Sequence, residues 1–131
     1  MIMQYPTSLV NQAWDKGASA LAYAAKRSNN EWTGDQLKMM LMRGEMLLIG
    51  SDDLWAAVQH IQHPNKRVLH VYAVVSTADG NGINEPDIAE LAEFAKNTGC
   101  TSITCAADFA AERLYSRYGF IHQYTIMERK L

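Results

Sequence analysis

The chain has 131 residues, the size of one domain, and 12 Lys and Arg residues against 14 Asp and Glu residues give a net charge of −2. This balance excludes both a strongly basic nucleic-acid binder and an acidic solvating tail. Hydrophobic residues make up 48% of the chain and charged residues 20%, so we expect one folded domain over residues 1–131.

Membrane and secretion signals are missing from the sequence pattern. The longest apolar runs are five residues, such as 71–75, whereas a membrane span needs about 20. The first six residues have neither a basic flank nor a long apolar stretch, as a signal peptide would. Cys100 and Cys105 are too few for a disulfide scaffold or a zinc site. We therefore expect a cytoplasmic protein without a metal ion.

In the N-terminal half, the sequence predicts one strand and two helices. Gly17 is a point where the first helix bends. Thr33 and Gln36 fit a capping box, which marks the start of the second helix. The predicted elements are a strand over 1–5, a helix from Thr7 or Ser8 to 28–30, and a helix from 34 to 43–44.

Three strands follow, over 45–49, 54–61 and 68–76. Their short connections predict antiparallel hairpins, and the apolar residues on both faces of 68–76 are typical of a central strand. If the turn centres on Asn65, His60 and His70 face each other across the hairpin. Such a pair would act as a base or hold a metal weakly, but no third ligand is apparent, so we expect no metal site. The alternative, which we favour, is two polar residues at a groove.

The C-terminal half alternates helices and strands after a glycine-dense stretch over 78–82. The predicted elements are a helix containing Ile88 and Leu91, a strand over 101–105, a helix that Asp108 caps and Gly119 ends, and a strand over 120–127. The order β-α-α-β-β-β-α-β-α-β indicates an α/β fold with a mixed sheet (α+β), in which the strands around the last two helices are parallel.

The stretch 108–120 carries a family motif. Leu114 and Tyr115 are followed by Gly119 and Phe120, and a small residue stands three positions after Asp108. With the element order, this stretch resembles the GNAT family of acetyl-CoA-dependent N-acetyltransferases, in which Asn usually replaces Asp108. The resemblance implies the acyl-CoA N-acyltransferase fold. Gly119 suits a left-handed helix end, after which Phe120 enters the core.

The resemblance also implies a place for acetyl-CoA, in a gap between the fourth and fifth strands. The fourth strand would pair with the pantetheine arm, and the following glycine loop would hold the pyrophosphate, with Thr77 standing where the family has Gln or Arg. The cofactor-binding residues implied are Val74, Val75, Ser76, Gly80, Asn81, Gly82 and Asp108.

A local excess of acidic residues surrounds the start of the following helix. Asp79, Glu85, Asp87, Glu90 and Glu93 precede the first basic residue, which is Lys96. Acids in the first turn stabilise a helix through its dipole by about 0.3–1 kcal/mol each. The same charges repel a pyrophosphate at that helix end.

Two side chains are candidates for the chemical step. By position, Tyr115 resembles the family's general acid, which protonates the leaving thiolate; the alternative is a tyrosine that only packs in the core or groove. Residues 68–77 contain no acid, so His70 is the group of suitable pKa for the base that deprotonates the amine.

Two functions remain open on this evidence from the residues. The first is acetyl transfer from acetyl-CoA to a small-molecule or protein amine. The second is a binding or assembly role of a catalytically inactive GNAT-fold protein, similar to small degenerate proteins in bacteriophage genomes. For either function we expect neither nucleic acid nor membrane as a partner, and exposed strand edges favour a homodimer.

Overall fold

A computed structural model describes residues 1–77 and 83–131 of the protein. Within these residues the chain forms five strands, four α-helices and two 3₁₀ segments. In chain order they are β1 (Met3–Tyr5), a 3₁₀ turn (Thr7–Leu9), α1 (Val10–Lys16), a 3₁₀ segment (Ala18–Arg27), α2 (Gly34–Met42), β2 (Leu47–Gly50), β3 (Leu54–Gln62), β4 (Arg67–Ser76), α3 (Glu85–Asn97), β5 (Ser102–Cys105) and α4 (Phe109–Ser116).

The strands form one mixed sheet in the order β1-β2-β3-β4-β5. The first three pairings are antiparallel, as short connections require, and β4 pairs with β5 in parallel. The parallel pair is joined through α3, the crossover helix that such a connection needs. The mixed α/β fold predicted from the sequence is therefore confirmed.

Helices cover both faces of the sheet, because apolar side chains alternate along the strands. One core cluster joins α1, the 3₁₀ segment and α2 to Leu48, Trp55, Ala57 and Ala73. The other joins α3 and α4 to the opposite face, through residues such as Ala56, Val58, Leu69 and Val71. The two faces are called here the N-terminal-helix face and the α3 face.

A β-bulge interrupts the pairing of β3 with β4. Ala57 pairs with Ala73, but Val58 pairs with Val71, so Tyr72 is one extra residue in β4. Both Tyr72 and Ala73 consequently pack on the N-terminal-helix face. The bulge separates two registers that differ by one residue. One covers the pairs between the turn and the bulge, and the other covers the pairs from Ala57 with Ala73 to the end of the hairpin.

The predicted first helix is divided in two. Gly17 has a φ of +140°, a conformation that favours glycine, and the chain continues as a 3₁₀ segment instead of an α-helix. The predicted start of α2 is confirmed: the Gln36 amide donates to the Thr33 hydroxyl over 3.2 Å, and the Thr33 amide donates to the Gln36 side chain over 2.9 Å.

The strand predicted over 120–127 is wrong. Within the described residues, the last strand is β5, and every residue from Ile121 to Leu131 is exposed. This segment contains β-branched and aromatic residues, but strand propensity acts only where a neighbouring strand supplies hydrogen bonds and packing. Among the described helices, none is long and apolar enough to cross a membrane.

Candidate active site where two strands part

The strands β4 and β5 run together for four residue pairs and then separate. Their last pair is Val71 with Cys105, where β5 ends, whereas β4 continues to Ser76. Beyond this point β4 has β3 on one side and, in the described part of the chain, no strand on the other. The separation coincides with the bulge at Tyr72, because a bulge bends its strand away from a neighbour.

His70 lies one residue before the end of this pairing. Its Nδ1 atom is 2.8 Å from the Oγ1 atom of Thr104, its partner in the parallel register. The rings of His70 and Tyr72 meet edge to face, 4.7 Å between centroids, because the two residues share a face of β4. The Tyr72 hydroxyl donates to the side-chain oxygen of Gln59 over 2.7 Å. These four residues form a polar row, called here the His70 row, in an otherwise apolar strand region.

The environment of His70 favours the neutral imidazole. Burial lowers the pKa of His70, and the nearby negative charge of Glu31 opposes this effect. Burial and the negative charge of Glu31 both raise the pKa of Tyr72, so its hydroxyl stays protonated. A neutral imidazole has a free nitrogen lone pair at neutral pH, which a general base requires.

Tyr115 lies on the α3 face, within the cluster to which Val71 and Cys105 also belong. Its ring centroid is 5.4 Å from that of Phe120, and Gly119, at a φ of +88°, turns the chain between them. Burial, and then the neighbouring Cys105, raise the pKa of Tyr115. His70 and Tyr115 therefore lie on opposite faces of the sheet, near the end of the β4–β5 pairing.

Asp108 caps α4, as predicted. Its carboxylate accepts a hydrogen bond from the amide of Ala111 over 2.9 Å and lies 3.4 Å from the Arg27 guanidinium. The ion pair links the start of α4 to the end of the 3₁₀ segment. The Asp108 carboxylate, which the family resemblance implies as part of the acetyl-CoA site, is therefore already engaged by Arg27 and by the Ala111 amide.

The implied acetyl-CoA residues on β4 lie past the bulge. Val74 packs on the α3 face and Val75 on the N-terminal-helix face, and Ser76 ends the strand. Their backbone borders the opening left by β5. Gly80, Asn81 and Gly82 lie outside the described residues.

The start of α3 is closed by its own cap. Asn84 and Asp87 exchange amide-to-side-chain hydrogen bonds of 3.1 Å, and the amide of Ile88 donates to the Asn84 carbonyl. Pro86 has no amide proton. Asp87 is only 2% exposed, so its carboxylate belongs to the helix end. Most first-turn amides that would bind an anion are thus already used or missing.

The predicted facing pair of His60 and His70 is wrong. His60 pairs with Leu69 and His70 with Gln59, because the turn centres between Pro64 and Asn65 and not on Asn65. A one-residue shift reverses the face. His60 instead stacks on Phe94 and contacts the Thr98 hydroxyl at 2.9 Å, on the α3 face.

Sequence reasoning missed three members of the site: Gln59, Tyr72 and Thr104. Two signals for these residues were available in the sequence. One was a polar residue inside a predicted strand, and the other was the two-residue repeat of a strand, which puts Tyr72 on the same face as His70. Thr104 needed the β4–β5 register, which the sequence does not contain. Among the described residues, no group of three or more His, Cys, Asp or Glu side chains is arranged to hold a metal ion.

Neither protein-family models nor curated proteins match the sequence. Solved structures do match. A ribosomal-protein-alanine N-acetyltransferase from Brucella melitensis biovar Abortus 2308 superposes with a TM-score of 0.68 at 14% identity, over 100% of this chain and 99% of the other. This protein has the fold of the GNAT acetyltransferases.

Two further GNAT-type structures extend the comparison. An aminoglycoside acetyltransferase from an uncultured soil metagenomic sample, in complex with sisomicin, gives a TM-score of 0.65 at 11% identity, covering 100% of this chain and 95% of the other. Glucosamine-6-phosphate N-acetyltransferase from Arabidopsis thaliana gives 0.58 at 14% identity, covering 99% and 97%. The similarity to GNAT acetyltransferases therefore extends over the whole chain. At sequence identities of 11% and 14%, it is a similarity of fold.

Proposed function

We propose that the protein transfers an acetyl group from acetyl-CoA to an amine. The observation that carries the proposal is the parting of β4 and β5 after Val71, with His70 and Tyr115 on the two faces of the sheet beside it. The opening bordered by Val74 and Val75 fits an extended arm, since an open strand edge pairs with extended chains. Acetyl-CoA would supply the acetyl group there as a thioester.

His70 is the general base in this proposal. Burial lowers the pKa of His70 and so favours the neutral ring. In the tautomer whose Nδ1–H donates to the Thr104 hydroxyl, the lone pair of Nε2 is free. His70 takes the proton that the amine loses as its nitrogen bonds to the acetyl carbon.

Tyr115 is the general acid. Burial raises the pKa of its hydroxyl, so the hydroxyl is protonated at neutral pH and able to donate to the thiolate that leaves as the carbon–sulfur bond breaks. The net result is one proton taken up at His70 and one released at Tyr115. Exchange with solvent restores both groups.

The start of α3 favours a second candidate, the inactive binding or assembly protein. The Asn84–Asp87 cap uses the amides that would bind a diphosphate and places a buried carboxylate among them. A fold keeps its core after such a site is lost, because packing and binding depend on different residues.

Calorimetric titration with acetyl-CoA separates the two candidates. Binding in the micromolar range supports the acetyltransferase, and no heat and no thermal shift at millimolar ligand contradict it. Tyr115→Phe should then lower turnover by about 10²-fold or more while leaving affinity nearly unchanged. Tyr23→Phe is the matched control, because Tyr23 is 75% exposed on the 3₁₀ segment. Equal turnover of the two variants would remove Tyr115 from the acid role.

A further inference from the structure

The segment that follows the turn after α4 is apolar and uncovered. It comprises residues 121–131 and is called here the arm. Every residue of the arm is exposed, and no backbone-to-backbone hydrogen bond joins it to another described residue. Four large apolar side chains of the arm are each at least 77% exposed: Ile121, Tyr124, Ile126 and Met127. Monomeric soluble proteins rarely leave a continuous apolar surface in water, so the arm is typical of a segment with a partner.

The order of these side chains suits a strand that is covered on both faces. In an extended chain Tyr124 and Ile126 project to one face, whereas Ile121 and Met127 project to the other. Apolar residues on both faces are typical of a strand buried between two layers. Three charged residues follow and end this pattern. Residues 121–127 are therefore the part of the arm that is suited to pairing with another strand.

The sheet offers an unpaired edge to such a strand. Its last strand, β5, pairs with β4 on one side and with no described strand on the other. No residue of β5 or α4 is fully buried, and Phe109, the first residue of α4, is 87% exposed. An open edge presents amide and carbonyl groups that pair with an extended segment. The edge of β5, with α4 beside it, is thus an acceptor surface for one more strand.

One chain therefore carries both halves of a contact, the arm and the edge of β5, but the two do not pair with each other. A two-fold axis between two copies brings each half to its counterpart and leaves neither half over. Stable interfaces take about 20–30 residues from each side, and the arm together with β5 and α4 reaches the lower part of this range. A second copy of this chain is the partner that matches both halves.

We propose that the protein forms a two-fold dimer in which residues 121–127 of each copy pair with the free edge of β5 in the other copy. The contact uses the edge of β5 that faces away from β4. It leaves the opening between β4 and β5 free, so the proposal does not depend on acetyl transfer. A dimer is equally compatible with the acetyltransferase and with the binding or assembly protein.

Sedimentation equilibrium over a range of protein concentrations tests the dimer. We expect a mass of twice 14.7 kDa at the higher concentrations. Thr125→Pro removes an amide proton in the middle of the pairing segment, so it should weaken the dimer by at least about tenfold. It should leave the monomer folded, because Thr125 is exposed and contacts only the His122 side chain, at 3.2 Å. The matched control, Thr125→Ser, keeps the amide and the hydroxyl and should remain a dimer.

Hydrogen exchange followed by mass spectrometry identifies the paired segments. The amides of residues 121–127 should exchange slowly in the wild-type dimer and freely in the Thr125→Pro monomer, with the same far-ultraviolet circular dichroism outside the change in the arm. A wild type that stays monomeric at all concentrations overturns the proposal. So does a dimer whose arm exchanges freely, since it uses another surface, or a monomer whose arm is protected, since it pairs within its own chain. Equal dissociation of the proline and serine variants also overturns it.

Discussion

The hydrogen bond between Thr104 and His70 can be removed almost without changing the shape of β5. Thr104→Val keeps the size and the β-branched form of the side chain and deletes only the hydroxyl 2.8 Å from Nδ1. A hydrogen bond of this kind contributes about 1 kcal/mol to stability, and both residues are half-buried, so water replaces part of the loss. We therefore expect the free energy of unfolding in urea to fall by about 1 kcal/mol.

The same change should also lower the pKa of His70 further. A protonated imidazole donates from both nitrogens, so losing an acceptor costs the charged form more than the neutral form. NMR titration of the ring protons measures this pKa. Thr98→Val is the control, since the Thr98 hydroxyl contacts His60 at 2.9 Å on the other face of the sheet. That variant should change the titration of His60 alone. An unchanged His70 pKa in Thr104→Val, or a changed one in Thr98→Val, would refute the described β4–β5 register as the cause.

Three other predictions concern acid–base behaviour and packing. The value of kcat/KM should rise with pH and level off, with a midpoint below 6.5, because burial lowers the pKa of His70; a midpoint above 6.5 would contradict its role as base. Gly34→Ala should destabilise the fold by about 1–3 kcal/mol, since a Cβ there would lie 2.7 Å from that of Ala22, and adding Ala22→Gly should recover most of the loss in thermal unfolding. Glu90→Gln should raise the melting temperature at pH 7 but not near pH 4. Burial and Asp53 raise the pKa of Glu90, so the stability it contributes is lost as pH rises through that pKa; an equal gain at both pH values would rule this out.

The features that the sequence predicted well depend on neighbours along the chain. The Thr33–Gln36 box is closed within four residues, and the turn at 63–66 brings β3 back against β4. The length of β4 followed from a run of apolar residues that only a central strand needs, and the structure has it over Arg67–Ser76. Local signals of this kind do not require knowledge of tertiary contacts.

The features that were missed depend on contacts between distant residues. No local pattern marks the bulge at Tyr72 in an apolar strand. The partner of His70 is Gln59 and not His60 because the turn centres between Pro64 and Asn65 and not on Asn65. His70 and Thr104 are 34 positions apart in the sequence and meet only because β4 and β5 pair in parallel. The chemistry of the site is therefore less predictable than the elements that carry it.

The start of α3 shows where the two candidate functions make opposite demands on one residue. The buried carboxylate of Asp87 stabilises the cap through the Asn84 amide, and its charge would oppose a diphosphate at the same helix end. Asp87→Asn keeps the shape of the side chain and removes the charge. It should lower the free energy of unfolding by about 1 kcal/mol and tighten acetyl-CoA binding about threefold in calorimetry.

The control for this change is Glu93→Gln, an exposed acid further along the same helix with the same change in net charge. Its effect on affinity should be small, because exposed charges separated by more than about 8–10 Å are largely screened at physiological salt. Equal affinities of the two variants would mean that α3 does not face the diphosphate. Weaker binding by Asp87→Asn would mean that acetyl-CoA needs the intact cap, so the acids at this helix start would belong to the binding site and would not be a sign of its loss.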